Sequence, residues 1–285
     1  MNTSETLTVI NRIASDSIEQ FKTFSNSEWE SPSRCHMWAT KDVVSHLVAI
    51  FGFNLNSIAM TLSKNSLPGE GMPNPGTFNS KDMASAVASR AIQLSETSLK
   101  NKITLVETLS IIKHDFMTQC DSIGPEEWDL DSYHPVNILS PRLILLIILL
   151  EVTLHSWDVF SALKNDYQVD QEASILLINL WKNSKANSWF IDINETNSNE
   201  TPKIIDIDLG LSTKLRITAL KGNLNIFEKL TSMNDVPTTI KTNPSDFALL
   251  ITARINLFDL IDQKKVTITG NKPDLLMFHK WFKGT

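Results

Sequence analysis

Residues Leu143 to Leu150 are eight aliphatic side chains in a row, and the next residue is Glu151. An element that is apolar on every face has to be covered on every face. A bilayer does not provide that cover for the run, since a spanning helix needs about 20 apolar residues. The run therefore predicts a central helix of a protein core. Ser140-Pro141 is a good start for it, with Ser140 as cap and a proline whose missing N–H is harmless in the first turn. The predicted helix ends near Leu163.

Other helical patterns surround it. Leu7, Ile10, Ile13, Ile18 and Phe21 recur at helical spacing, with Ser4 as the expected cap. A second helix is expected from Thr40, read as its N-cap, to about Leu62, ahead of the Pro/Gly-rich breaker 67–76. Residues 80–120 are helical in pattern, with a break near Leu99-Lys100-Asn101, and Asp170 is placed to cap a helix through Trp189. After Phe190 the texture changes. The polar stretch from Asp192 to Pro202 reads as a connector or hairpin tip. Short β-branched runs follow at 204–209, 214–220, 223–227, 238–242 and 266–270. Between the last two, Asn243-Pro244-Ser245-Asp246 opens a helix carrying Phe247, Leu250, Ile251, Arg254 and Leu257, and Lys272-Pro273-Asp274 opens a final helix. The prediction is a two-domain α+β protein, a helical bundle over 1–190 and a small α+β domain over 203–285.

Charge and cysteine content narrow the function. With 26 Lys+Arg against 32 Asp+Glu, the chain is acidic and has no basic block, so nucleic acid is not an expected partner. Cys35 and Cys120 are too few for a disulfide framework, and the N-terminus lacks the basic and apolar regions of a signal peptide. The expectation is a cytoplasmic protein with reduced thiols and no membrane partner.

Three ionisable residues interrupt apolar faces. His46 shares its helix face with Val43, Ile50 and Phe53. Glu151 and His155 are four apart and project from one face of the central helix. An unpaired carboxylate directly after the aliphatic run would cost several kcal/mol. Two His and one Glu from facing helices form the three-ligand set of an open zinc site, although a hydrogen-bonded core histidine and a surface Glu–His pair fit the same pattern.

The segment from Pro32 to Leu47, reading Pro-Ser-Arg-Cys-His-Met-Trp-Ala-Thr-Lys-Asp-Val-Val-Ser-His-Leu, resembles the signature of the mycothiol-dependent maleylpyruvate isomerases, a family of the DinB-like helical-bundle superfamily. Leu150-Glu151-Val152-Thr153-Leu154-His155-Ser156-Trp157-Asp158 is similar to its second signature. Residues 243–250 and 266–271 are similar to the sterol-carrier-like domain those isomerases carry. The resemblance implies a DinB-like four-helix bundle and a sterol-carrier-like C-terminal domain. It implies His46, Glu151 and His155 as ligands of zinc or another divalent metal, with mycothiol or another low-molecular-weight thiol as co-substrate. Two departures stand out: Met37 replaces the usual Gly before Trp38, and the family's Arg close before the Glu is replaced by aliphatic residues.

Other residues are open to two readings. Asp158, three after His155, is either an acceptor for the ligand imidazole or a surface carboxylate. Cys35 is a ligand or nucleophile, or packs under Trp38. Arg216 and Arg254 are C-terminal cations that could anchor an anionic substrate, or surface residues, and His134 is a candidate for the mouth of the site. The main expectation is a thiol-using isomerase or transferase in which metal-activated thiolate adds to a small electrophilic substrate. The rivals are a metal-dependent hydrolase on the same residues and a non-enzymatic binder of an apolar ligand. The oligomeric state is not legible.

Overall fold

The computed structural model describes residues 2–77, 80–97, 99–187, 189–191, 201–229 and 238–282. Most of the connector from Asp192 to Pro202 lies outside the described residues. The chain is a mixed helix-and-sheet protein that divides into two compact units, Met1–Leu176 and Leu177–Thr285.

In the first unit, α1 (Thr3–Thr23), α3 (Thr40–Leu62), α5 (Lys102–Asp121) and α6 (Pro141–Leu163) form the main packing set. Helix α1 packs on α5 and α6, and α3 packs on the same two. The short α2 (Asn26–Trp29) precedes α3, and α4 (Ser80–Glu96) lies against α3. The central-helix prediction holds: Ser140 Oγ accepts from the Leu143 N–H, Pro141 opens α6, and Ile144, Leu145, Ile148 and Leu149 have no exposure.

By length and composition both α3 and α6 could cross a bilayer, a wider apolar stretch in each case than the eight-residue run suggests. In the fold, 83% of the most apolar window of α6 is buried by protein, against 50% for α3. The bundle therefore supplies the cover that the aliphatic run demands.

Two predicted caps are corrected. Asn2, not Ser4, caps α1, accepting from the Glu5 N–H, so the helix begins before Ser4. Thr40 is already helical; the residue before it, Ala39, donates its N–H to Asp42 Oδ2 at 2.9 Å, and Ser95 Oγ donates to the other oxygen of Asp42. A hairpin that periodicity did not reveal, β1 (Ser132–His134) with β2 (Asn137–Leu139), packs on α3 and leads directly into α6. Ser57 Oγ on α3 donates to the Tyr133 carbonyl, so the hairpin is tied to the helix that carries His46.

In the second unit, α7 (Gln171–Trp181, which begins in the first unit) and α8 (Ser184–Asn187) precede a five-stranded sheet. The predicted single helix through Trp189 is thus two helices, and the first stops at Trp181. The sheet runs β5-β4-β3-β6-β7, from β3 (Lys203–Asp208), β4 (Leu215–Leu220), β5 (Asn223–Glu228), β6 (Thr238–Lys241) and β7 (Thr267–Thr269). β3 and β6 pair in parallel and the other neighbours antiparallel. Helix α9 (Pro244–Ile251) begins at the Asn243 cap, as predicted, but ends before Arg254. Ala253 takes a left-handed φ of 51°, and the Arg254 N–H returns to the Leu249 carbonyl, a Schellman-type stop. Helices α10 (Leu257–Asp262) and α11 (Lys272–Trp281) follow, and α11 packs on β3 and β6.

Two backbone positions carry opposite expectations. Met37 sits at φ 67° with its side chain 78% exposed, a conformation that costs a non-glycine residue about 1 kcal/mol. Gly270 has φ 104°, and a Cβ there would lie 2.7 Å from the Thr238 Cα. Urea unfolding should therefore show Met37→Gly stabilising the protein by about 0.5 kcal/mol after the flexible-chain penalty of glycine. Gly270→Ala should destabilise it by about 2 kcal/mol or more, because both the left-handed backbone and the clash with a neighbouring strand oppose the methyl.

Candidate metal centre

Two separated segments of chain converge where the first turns of α3 meet the middle of α6. His46 lies in the second turn of α3, whose start is fixed by Asp42. Glu151 and His155 lie one turn apart on α6. His46 Nε2 is 2.9 Å from Glu151 Oε2, and His155 Nε2 is 3.0 Å from the same oxygen. The two imidazoles meet edge to face at 4.6 Å, and the Trp38 ring lies over both, 5.0 Å from His46 and 5.8 Å from His155. The side chains of His46 and His155 are nearly buried, whereas Glu151 keeps 22% of its side chain exposed. The centre is thus closed by protein on the imidazole side and open at the carboxylate.

Behind His155 the contacts continue. Its Nδ1 is 3.0 Å from Asp158 Oδ2, and Asp158 is buried. Of the two readings of Asp158, the structure has the imidazole acceptor rather than the surface carboxylate. With Nδ1–H donating to a carboxylate, Nε2 is the nitrogen left to face Glu151 and His46, and it has a lone pair to offer once its own proton has gone.

The electrostatics follow from this packing. Burial acts to raise the Glu151 carboxyl, but hydrogen bonds from His155 and His46 and their charges outweigh it and hold the group well below the ordinary carboxylate range. Burial acts to lower His155, and the neighbouring Cys35 sulfur with the bonds to Asp158 and Glu151 outweighs it, so His155 sits well above 6.5.

The donor set suits a divalent metal. His46, Glu151 and His155 each offer a ligand atom, and these atoms lie within 4.8 Å of one another. Two imidazole nitrogens and one carboxylate oxygen are the donors zinc takes in open sites. A cation would satisfy the lone pairs that protons now bridge.

The remaining predicted residues are distributed differently. Arg216, on β4 in the second unit, is buried and bidentate to Asp206 at 2.8 and 3.2 Å, with Lys229 on the same carboxylate. The surface reading of Arg216 is therefore corrected to a buried ion pair across β3 and β4. Arg254 lies in the turn after α9, partly exposed. His134 is in β1, its ring against Phe53 and its Nδ1 accepting from the Val136 N–H, and burial pushes it down to about 4.

Two residues at the centre were not assigned from sequence. Trp38, quoted from sequence only within the loop signature, forms the cover over both imidazoles. Cys35, open between ligand or nucleophile and packing, has its Sγ 3.1 Å from Asp158 Oδ2. The signal for both was their place in the loop directly before the His46 helix.

No family model matches the chain, and no curated protein does. Among solved structures it is similar to the mycothiol-dependent maleylpyruvate isomerase, with 12% identity, 96% of each chain covered and a TM-score of 0.63. A histidine-to-alanine mutant of a mycothiol-dependent maleylpyruvate isomerase gives the same identity and coverage with a TM-score of 0.62. A sterol carrier protein-2 like-3 from Aedes aegypti aligns with 30% of this chain and 80% of its own at 25% identity and a TM-score of 0.25. Met37 and the aliphatic wall notwithstanding, the chain has the fold of the mycothiol-dependent maleylpyruvate isomerase.

Proposed function

We propose that this protein is a metal-dependent, thiol-using isomerase or transferase, with His46, Glu151 and His155 as the ligands of a divalent metal, zinc by its donor chemistry. The observation that carries the reading is the meeting of both imidazole Nε2 atoms on one Glu151 oxygen, with Asp158 bonded behind His155. The likeness to a mycothiol-dependent isomerase supports a low-molecular-weight thiol as co-substrate and a small electrophile as substrate. In the same reading the first unit is the DinB-like bundle and the second the sterol-carrier-like domain, and Arg216, held by Asp206, is given up as a substrate anchor.

A divalent metal held by His46, Glu151 and His155 would supply a Lewis acid that lowers the proton affinity of a bound thiol. The chain's own residues hold and shield. Asp158 fixes the His155 tautomer, so that Nε2 is presented as a lone pair. Trp38 covers the imidazole side and keeps bulk water from it, leaving the Glu151 side for entry. The aliphatic residues before Glu151 make the surroundings of the carboxylate apolar, and Arg142, the cation on that stretch of α6, is held by Asp129 at 3.0 and 3.1 Å. A wall of this kind favours a less highly charged substrate.

Elemental analysis should find one metal per chain in the wild type and a loss of at least about 100-fold in affinity in His46→Ala and in Glu151→Gln, each of which removes a ligand. Stoichiometric metal retained in His46→Ala would refute the ligand assignment. With metal bound, thermal shift by biological thiols supports the thiol-using reading. A shift with fatty acids or sterols alone would replace it with the apolar-ligand reading.

Metal affinity should also depend on pH in a defined direction. Because His155 lies above 6.5 without metal, its proton has to leave before Nε2 can bind. Affinity should rise as pH increases through neutrality. Calorimetry in buffers of different ionisation enthalpy should show proton release that shrinks at alkaline pH. The metal-free protein should behave oppositely: the raised His155 stabilises it fully below 6.5, and that stability is lost as pH climbs through the folded value.

A further inference from the structure

The loop between α2 and α3 is fastened to the C-terminal half of α6. The Arg34 N–H donates to the Asp158 carbonyl at 2.8 Å, and its guanidinium donates to the Ser161 carbonyl at 3.1 Å while lying 6.0 Å from the centre of the Trp157 ring. Within the loop the Ser33 N–H reaches the Trp38 carbonyl at 2.9 Å, and Ser33 Oγ accepts from the Cys35 N–H at 3.1 Å. So held, Cys35 places Sγ 3.1 Å from Asp158 Oδ2 and 3.6 Å from His155 Nδ1. One carboxylate oxygen therefore receives two donors, the Cys35 thiol and His155 Nδ1–H.

We infer that Cys35 is a positioning residue for the centre, its thiol fixing the Asp158 carboxylate that in turn holds His155 with Nε2 toward Glu151 and His46. The inference rests on the metal-centre reading given above. A direct ligand role for Cys35 at that centre is excluded by which edge of the imidazole it touches: Sγ lies at the Nδ1 edge, whereas the centre is built on Nε2. Cys35, His155 and Asp158 do form a second group of donors within 4.8 Å of one another. However, a nitrogen that donates its proton to Asp158 has no lone pair for a second ion. A thiol is a weak donor, so its effect is smaller than that of the carboxylate it steadies.

The test measures zinc affinity by chelator competition in the wild type, Cys35→Ala, Cys35→Ser, Asp158→Asn and the Cys35→Ala/Asp158→Asn double variant. Loss of the carboxylate should cost about 10- to 100-fold, as is typical for the partner of a ligand imidazole. Cys35→Ala should cost about 3- to 10-fold, and Cys35→Ser should recover most of it, because a hydroxyl donates to the same oxygen. In the Asp158→Asn background Cys35→Ala should have no further effect. An equal cost in both backgrounds, loss of a second metal equivalent, or a thiolate-to-metal charge-transfer band in the cobalt-loaded wild type that disappears in Cys35→Ala would each overturn the inference. If the wild type binds no metal, the functional reading fails, yet the metal-free protein still decides this one. The ¹⁵N resonance of His155 Nδ1 should move in Cys35→Ala and stay near its wild-type position in Cys35→Ser. An unchanged resonance in both variants would refute the positioning role.

Discussion

A carboxylate at the end of an aliphatic run is the constraint around which the first unit is arranged. Glu151 follows Leu150 on a helix whose neighbouring side chains are almost all buried, and an unpaired charge there would cost several kcal/mol. His46 from α3 and His155 from the next turn of α6 remove that cost. The contact fixes how α3 and α6 pack. It also makes the register of α3 matter, since sliding the helix by one residue would rotate the position that faces Glu151 away from His46 by roughly 100°. Asp42, bonded to the Ala39 N–H and to Ser95, sets the start of α3 and ties it to α4.

Much of this was legible because it is written along single elements. Ser140-Pro141 announced α6, its aliphatic face announced burial, and the four-residue spacing put Glu151 and His155 on one side. The break near Asn101 and most strand positions of the second unit were also readable from local pattern. Features that depend on the partner across space were not. Cys35 and Asp158 are 123 residues apart, and nothing in either segment states that a thiol meets a carboxylate. Arg216 read as a surface cation because its partner, Asp206, is on another strand. The β1–β2 hairpin escaped because three-residue strands carry too little alternation to register. Arg254 was carried past the end of its helix because Ala253, not Gly or Asn, takes the left-handed conformation that stops it.

The loop before α3 shows how strongly the site governs its surroundings. Met37 keeps a turn conformation that suits glycine, at an energetic cost, and the turn places Trp38 over both imidazoles. Strain held next to a cluster of buried polar groups is a pattern of functional sites, where geometry is retained against local preference. The loop's fastening to α6 through Arg34 shows the same priority, since it spends a cation on two backbone carbonyls and an aromatic face.

The separation of these contacts along the chain bears on how the protein reaches its native state. His46 and Glu151 are 105 residues apart, and Cys35 and His155 are 120 apart. Helices α1 and α3 can form from local interactions, but the three donor atoms can meet only after the hairpin and α6 have docked on α3. Contacts of such long range are completed late, because the entropy of closing the intervening chain has to be met first. Any ion that recognises all three donors therefore distinguishes a fully docked bundle from every partly assembled form, and its binding would act as a latch on the last step of folding rather than as a seed for the first.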